Sequence, residues 1–341
     1  MNIVKSLLII MFLIPHVTEA IYRVYSGNMG ENKVEFYLFA TYDSIFDIIY
    51  IEDKTYEVGY IGAPQKKEND YHFKDFTTID TVSDKDILII KNFDFSLNKV
   101  KSESNYLFGY SETFGDFKLK KEFEFNVVSE NGYGITQVES KTLFDNTEFK
   151  NIEFLQRSST KDFYFKVILS KKKKEDIKIT GINVYSKKSG ELLQTIKNSK
   201  GYIFYTFHAV QIGDFDFDGN ENDFFLQGAE AFAPNVPQIY YIYDESQNKY
   251  IEANLEGYSI QFDSENKIAT NTKTCGDVIT YSSNVLLKKL YYFNNKEKKY
   301  TYIDKYCESI PDDDDYHYLR QCTKKERLDC EKAVVEVGDE F

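Results

Sequence analysis

The residues best suited to chemistry lie in one run, Gly213-Asp214-Phe215-Asp216-Phe217-Asp218-Gly219-Asn220-Glu221-Asn222-Asp223. Aspartates at alternate positions followed at once by a glycine have the spacing of a calcium loop. A hard dication takes several oxygens at about 2.3–2.6 Å, and alternate side chains on a curled loop converge on one point. Gly219 turns the backbone where a Cβ would be strained. Phe215 and Phe217 fall out of phase with the aspartates and are expected to point into a core, fastening the loop to the body of the protein. The competing reading, a polar turn without metal, has to hold three aspartates together against their mutual repulsion.

No catalytic constellation accompanies this loop. His16 sits in the apolar N-terminus, and His72, His208 and His317 stand apart, without the H-E-x-x-H spacing of a zinc site. There is no G-x-S-x-G elbow and no Walker loop. Carboxylates are plentiful, but none is singled out as half of a glycosidase pair. The cysteines are late and even in number, which disfavours a thiol nucleophile. The chain is expected not to be an enzyme, and calcium is expected to be structural.

The elements that must position the loop read as strands. The 341 residues include 28 Tyr and 28 Phe but no Trp and only 5 Pro, a composition that favours β-structure. Alternating apolar runs predict strands at Tyr22–Tyr25, Lys33–Thr41, Phe46–Ile51, Thr55–Ile61, Asp86–Ile90, Phe117–Val128, Phe163–Leu169 and Ile177–Tyr185. Pro64–Asp70 reads as a loop and Asn131-Gly132 as a turn. Lys171–Lys174 reads as a solvated hairpin end rather than a phosphate or membrane patch. Leu192–Ile196 and Tyr202–Ile212 lead into the aspartate loop, and Phe224–Leu226 leaves it. Gln238–Tyr243, Tyr250–Ala253, Lys267–Cys275, Val285–Phe293 and Tyr300–Cys307 follow with polar turns every eight to twelve residues or so, the spacing of a meander in a sandwich, barrel or propeller. No strict repeat is visible. Helical periodicity is confined to Tyr318–Val335, and Asp312–Asp315 reads as a solvated linker.

Residues 1–20 stand apart from the rest. Lys5 precedes the apolar Leu7–Ile14, and Thr18-Glu19-Ala20 ends in a small residue, as in a secretory signal. No second membrane span is visible. The balance of 55 Asp+Glu against 42 Lys+Arg speaks against nucleic acid as a partner, since phosphate binding wants a basic face. All four cysteines, Cys275, Cys307, Cys322 and Cys330, fall near the C-terminus, where an exported chain is expected to make disulfides. Three pairings are open. In a meander Cys275 and Cys307 end at the same edge, while Cys322 and Cys330 cannot pair on one continuous helix, where eight residues span about 12 Å.

From about Ile182 to Cys307 the chain resembles a bacterial family of exported, FG-GAP-like calcium proteins. Three stretches carry the resemblance: Val184–Gln194, Gly213–Gly219 and Tyr240–Tyr250, in that order. The family includes periplasmic inhibitors of lysozyme-like peptidoglycan hydrolases, among them immunity proteins of type IV secretion systems. The resemblance implies an all-β fold, an incomplete β-propeller or meander of antiparallel sheets with one calcium loop. It implies Asp214, Asp216 and Asp218 as side-chain ligands and Asn220 as a carbonyl ligand. The family's closing acid falls on Asn222, with Asp223 one position later. Either Asn222 ligates weakly or the loop is longer and Asp223 closes it, the choice preferred here. The resemblance also implies a protruding loop that enters a hydrolase cleft; its counterpart is Gly228–Pro237, with Glu230, Phe232 and Asn235 as partner-binding residues and its base fixed by the calcium loop.

The expected organisation is a signal peptide at 1–20, an N-terminal β region at 21–180, a calcium-binding region at 181–310 and an acidic, cysteine-containing tail at 311–341. The expected function is that of an exported, calcium-stapled binding module, a periplasmic hydrolase inhibitor. A cell-surface adhesion or glycan-binding module is the alternative, with a carbohydrate-active enzyme a more distant third.

Overall fold

The computed structural model describes residues 21–40, 45–61, 65–67, 70–73, 78–80, 87–89, 95–98, 105–111, 114–126, 146–198, 200–204, 207–228, 235–258, 260–277, 282–309 and 319–332. The expected signal, the Asn131-Gly132 turn, Glu230, Phe232, Asp312–Asp315 and His317 lie outside the described residues.

The chain is all-β, with a short helix near its C-terminus. Its first part comprises β1 (Ile21–Met29), β2 (Asn32–Ala40), β3 (Ile45–Glu52), β4 (Val58–Ile61), β5 (Gln65–Lys67), β6 (Asp70–Phe73), β7 (Thr78–Asp80), β8 (Ile87–Ile89), β9 (Phe95–Asn98), β10 (Tyr106–Ser111) and β11 (Gly115–Asn126). Nine of these form one sheet in the order β4-β3-β2-β1-β11-β10-β9-β6-β5, while β7 pairs with β8 separately. Three antiparallel meanders follow in chain order. The first is β12 (Phe149–Leu155), β13 (Phe163–Lys171), β14 (Lys178–Ser186) and β15 (Leu192–Lys197). The second is β16 (Val210–Gly213), β17 (Asp223–Gln227), β18 (Pro237–Asp244) and β19 (Lys249–Tyr258). The third is β20 (Gln261–Asp263), β21 (Ile268–Asp277), β22 (Ser282–Asn294), β23 (Lys299–Ser309) and β24 (Arg320–Gln321), with α1 (Lys324–Lys332) after it.

Successive meanders stack like propeller blades because their strands are apolar on both faces. In β17, Phe224 and Leu226 point one way and Phe225 the other, as the two-residue period of a strand requires. Phe224, Leu226, Ile239 and Tyr241 join a core shared with β13, β14 and the N-terminal sheet. Tyr240, Ile242, Ala253 and Leu255 join Ala269, Phe293 and Tyr300 of the third meander in a second core. Side-chain amides tie the layers by standing in for peptide groups. Gln194 donates to the carbonyl of Tyr250 (3.0 Å) and accepts from its N–H (2.8 Å), linking β15 to β19. Asn271 does the same between β21 and β19, accepting from Tyr258 N–H (3.0 Å) and donating to Glu256 O (3.2 Å). A Cβ on Gly257 would lie 1.9 Å from the Asn271 amide, so only glycine fits there.

Several expectations need correction. Gln65–Lys67 is a strand inside the expected loop at Pro64–Asp70. The expected strand Tyr202–Ile212 is reduced to Val210–Gly213, with one bridge from Ile203 to Lys178. Tyr202, Phe204, Phe207 and Ala209 are all buried and fill the first core without a ladder. The division at residue 180 falls inside β14, whose partners β13 and β15 make the sheet continuous across it. At the hairpin end, Lys172, Lys173 and Lys174 are exposed, as expected, but Lys171 is buried.

The helix begins later than expected because Thr323 and Glu326 form a capping box: Thr323 N–H donates to Glu326 Oε2 (2.7 Å) and Glu326 N–H to Thr323 Oγ1 (3.2 Å). Cys322 is thereby left outside α1. The disulfides are Cys275–Cys330 and Cys307–Cys322, both with Cα atoms 5.4 Å apart. Cys275 and Cys307 do lie near one edge, but β22 runs between their strands. Two strand spacings of about 4.8 Å each exceed the reach of a disulfide. Two disulfides are the mark of a chain folded in an oxidising compartment. No helix among the described residues is long and apolar enough to cross a membrane.

The bridges close loops of separation 55 and 15. In the chain-entropy description they contribute about 4 and about 3 kcal/mol respectively. Replacing both cysteines of Cys275–Cys330 by serine is therefore expected to lower the urea midpoint more than the same change at Cys307–Cys322, measured by chemical denaturation at fixed pH.

Candidate metal centre

The aspartate loop connects β16 to β17, whose register pairs Gly213 with Asp223. Its hydrophobic residues anchor it. Phe215 is buried against Tyr240 and Phe262, with ring centroids at 4.9 and 5.0 Å, and Phe217 packs near Phe262 and Phe293. Gly213 permits this, since a Cβ there would stand 2.5 Å from the Phe215 ring. The backbone is left-handed at Phe217 (φ 60°) and Gly219 (φ 89°). A phenylalanine in that region costs roughly 1–3 kcal/mol, and surrounding contacts must hold it there.

Between the phenylalanines the carboxylates converge. One oxygen each from Asp214, Asp216 and Asp218 lies within 4.8 Å of the others. The loop's own amides cradle them: Asp218 N–H donates to Asp214 Oδ1 (3.2 Å) and Asp216 Oδ1 (3.1 Å), and Gly219 N–H to Asp214 Oδ2 (3.0 Å). Asn220 N–H donates to Asp218 Oδ1 at 2.7 Å. Asp218 and Asn220 are exposed, whereas Asp216 is buried at 1% exposure.

Positive charge comes from the third meander. Lys298, in the turn between β22 and β23, places Nζ 2.6 Å from Asp216 Oδ2. From the same strand region, the Tyr300 hydroxyl donates to Phe215 O at 2.5 Å. Burial raises the Asp216 carboxyl above its usual range; the Lys298 hydrogen bond opposes that, and the Asp218 and Asp214 charges reinforce it. Burial works against the Lys298 ammonium, but the hydrogen bond and charge of Asp216, with Asp218 and Asp223 beyond, prevail and raise its pKa.

Asp223 has another task. It is fully buried, and its two oxygens accept from Phe215 N–H (2.9 Å) and Tyr243 N–H (2.8 Å). It thus ties the loop's start to the neighbouring strand β18 and lies outside the converging set. Burial pushes its carboxyl up to about 8, against the pull of those amides. The Asn222 backbone carbonyl accepts from the Tyr250 hydroxyl (2.8 Å), while the Asn222 Oδ1 is buried without a hydrogen-bond partner. A buried, unsatisfied oxygen is uncommon and calls for a ligand or water. The donor set suits a hard cation: three converging carboxylates, with an ammonium already drawn to the same charge. Asp214, Asp216 and Asp218 would hold it.

No family model matches the chain, and no curated protein does. Among solved structures, the WD40 domain of SCAP from fission yeast is similar over 86% of this chain, at 14% identity and a TM-score of 0.26, and this chain spans 66% of that one. A similarity that loose carries no argument. The propeller-like description rests on the order and stacking of the meanders.

The two ends of the segment Gly228–Pro237 are at the edge of the sheet away from the aspartate loop. Strand β17 runs from Asp223 to Gln227 and leads to Gly228, about 16 Å from the aspartate loop at 3.3 Å per residue. Its base is pinned locally: Gly228 N–H donates to Pro237 O at 3.0 Å. Asn235 is buried, donating to Thr274 O (2.8 Å) and accepting from Thr274 N–H (2.9 Å), so it serves β21. Of the two histidines among the described residues, His208 lies in the turn before β16, its carbonyl accepting from Gln211 and Gln227, and His72 lies on β6. Sequence reasoning missed Lys298 and Tyr300, which lie more than eighty residues from their partners. No local pattern marks them.

Two substitutions separate the loop's two tasks. Asp218→Ala removes an exposed ligand and is expected to abolish most of the calcium-induced rise in melting temperature while leaving the chelator-treated protein near wild type. Asp223→Asn replaces an accepting oxygen by an N–H₂ facing a buried amide and is expected to cost about 2–4 kcal/mol in chelator as well. Differential scanning calorimetry with calcium and with chelator reads both.

Proposed function

We propose that the protein is an exported, calcium-stapled binding module rather than an enzyme, and that its partner is another protein, a peptidoglycan hydrolase of the lysozyme-like class in a periplasmic setting. The observation that carries the calcium part is the convergence of Asp214, Asp216 and Asp218 in one loop. The resemblance of Ile182–Cys307 to exported calcium-binding inhibitors supports the partner class. The segment that would carry Glu230 and Phe232 to the partner leaves and re-enters the sheet at a base closed by Gly228–Pro237 and Asn235–Thr274. Pinned ends limit the ordering entropy that binding costs. Calcium in this reading is structural: it binds only the folded state and stabilises by about 2.7 kcal/mol at a hundred times Kd.

One observation favours a glycan-binding role as a second reading. Strand β10 turns Tyr106, Phe108 and Tyr110 outward at 42%, 45% and 50% exposure, an aromatic row on one face of a sheet. Lys118 lies over the first ring at 3.8 Å. The carboxylates of the cavity of about 370 Å³ lined by β1, β2, β3 and β13 do not argue for a glycosidase. Glu35 there is an ion-pair partner of Lys166 (2.8 Å) and accepts from the Tyr37 hydroxyl (2.5 Å).

Inhibition assays against lytic enzymes of several classes, run beside polysaccharide retention, divide the readings. The hydrolase reading expects inhibition that Phe232→Ala weakens at least tenfold and Phe108→Ala leaves alone. Retention on glycan lost with Phe108→Ala, without inhibition of any hydrolase, would replace it by the second reading.

A further inference from the structure

We propose that Lys298 is the resident cation of the aspartate loop and that it competes with calcium for Asp216. The inference rests on the calcium reading above and concerns how that site is regulated.

Asp216 is the most buried of the three converging carboxylates, at 1% exposure, and a buried carboxylate needs a partner. Lys298 supplies it through a contact of 2.6 Å that crosses from the third meander to the second. The turn that presents the lysine is built in advance. Asn294 O accepts from Glu297 N–H (3.2 Å), Asn294 Oδ1 accepts from Lys296 N–H (3.0 Å), and Lys298 itself takes a left-handed φ of 53°. That conformation aims the side chain at the loop, yet the side chain is still 31% exposed and has a path back to solvent.

An ammonium and a dication cannot both sit against one carboxylate without strong repulsion. Lys298 therefore gives up Asp216 when calcium is bound. In the calcium-free protein it keeps the loop closed and the two meanders tied, while Tyr300 holds Phe215 O in either state. The apparent affinity for calcium falls by the fraction of molecules in which Asp216 is free. A lysine that holds Asp216 nine times in ten weakens calcium about tenfold.

The test uses the full chain and the metal alone. Calcium is titrated calorimetrically into chelator-stripped wild type, Lys298→Met, Lys298→Gln and Lys299→Met, and each is melted in chelator. Lys299 is an exposed neighbour, so its removal changes net charge equally without touching Asp216. The expected result is that both Lys298 variants bind calcium about tenfold more tightly and melt lower in chelator, while Lys299→Met matches wild type in both. Equal affinities for Lys298→Met, Lys299→Met and wild type would overturn the competition and leave the calcium reading standing. Absence of calcium binding in wild type and in both Lys298 variants would overturn the calcium reading itself, and this inference with it.

Discussion

Three carboxylates gathered within 4.8 Å at the lip of an apolar core need positive charge to stay together, and the molecule is arranged around meeting that need. The phenylalanines that alternate with the aspartates cannot leave the core, so the carboxylates cannot spread apart. Their repulsion is met in layers. The loop's amides donate to Asp214, Asp216 and Asp218, and an ammonium from the next meander reaches Asp216. Asp223, one residue past the loop, is held by amides alone and answers to burial more than to its neighbours. The same contacts that tame the charge also bind the second meander to the third, because Lys298 and Tyr300 come from β22–β23 and reach Asp216 and Phe215.

Stacked meanders face a general difficulty: their edges carry unpaired amides, and their faces are too apolar to supply many polar contacts. Here the answer is a set of side-chain amides. Gln156 accepts from Val210 N–H (3.2 Å), Gln194 embraces the backbone of Tyr250, Asn235 that of Thr274, and Asn271 bridges Tyr258 and Glu256. Each presents one donor and one acceptor in a peptide-like arrangement, so a layer without a neighbouring strand still finds a partner of the right shape. The aromatic content of the chain belongs to the same solution. Tyr240, Phe215 and Phe262 fill the space between the second and third meanders, with edge-on and tilted rings in place of aliphatic packing.

What was legible in the sequence was local. The aspartate spacing stood out because metal ligation is written in consecutive residues, and most strands stood out because alternation is too. The strand expected at Tyr202–Ile212 was legible as apolar but not as irregular: Tyr202, Phe204 and Phe207 keep a two-residue rhythm for a while and then serve the core as a buried connection. Strand β10 escaped notice because its aromatics face outward and its inward residues are Leu107, Gly109 and Ser111, a small and mixed face. The cysteine pairing was out of reach for a geometric reason. A shared edge brought Cys275 and Cys307 near each other, but with β22 between them Cys275 pairs with Cys330 on α1, which packs on β22, and Cys307 with Cys322 just after β24. Lys298 is the clearest case of the non-local, since nothing in its own turn distinguishes it from Lys296 or Lys299.

The separation between the loop and the segment Gly228–Pro237 bears on how the protein would use a metal. Strand β17 spans the sheet between them, with its side chains packed into two cores at once, Phe224 and Leu226 on one face and Phe225 on the other. A strand gripped on both faces transmits little bending, because close-packed interiors resist deformation. A cation in the aspartate loop would therefore act on the ends of the segment through the stability of the interface that both share with the third meander. That interface is fastened at one end by Asp216–Lys298 and Phe215–Tyr300 and at the other by Asn235–Thr274. Loosening either end leaves the other to hold the register of the second meander against the third, which suits a staple better than a switch that re-aims a binding surface.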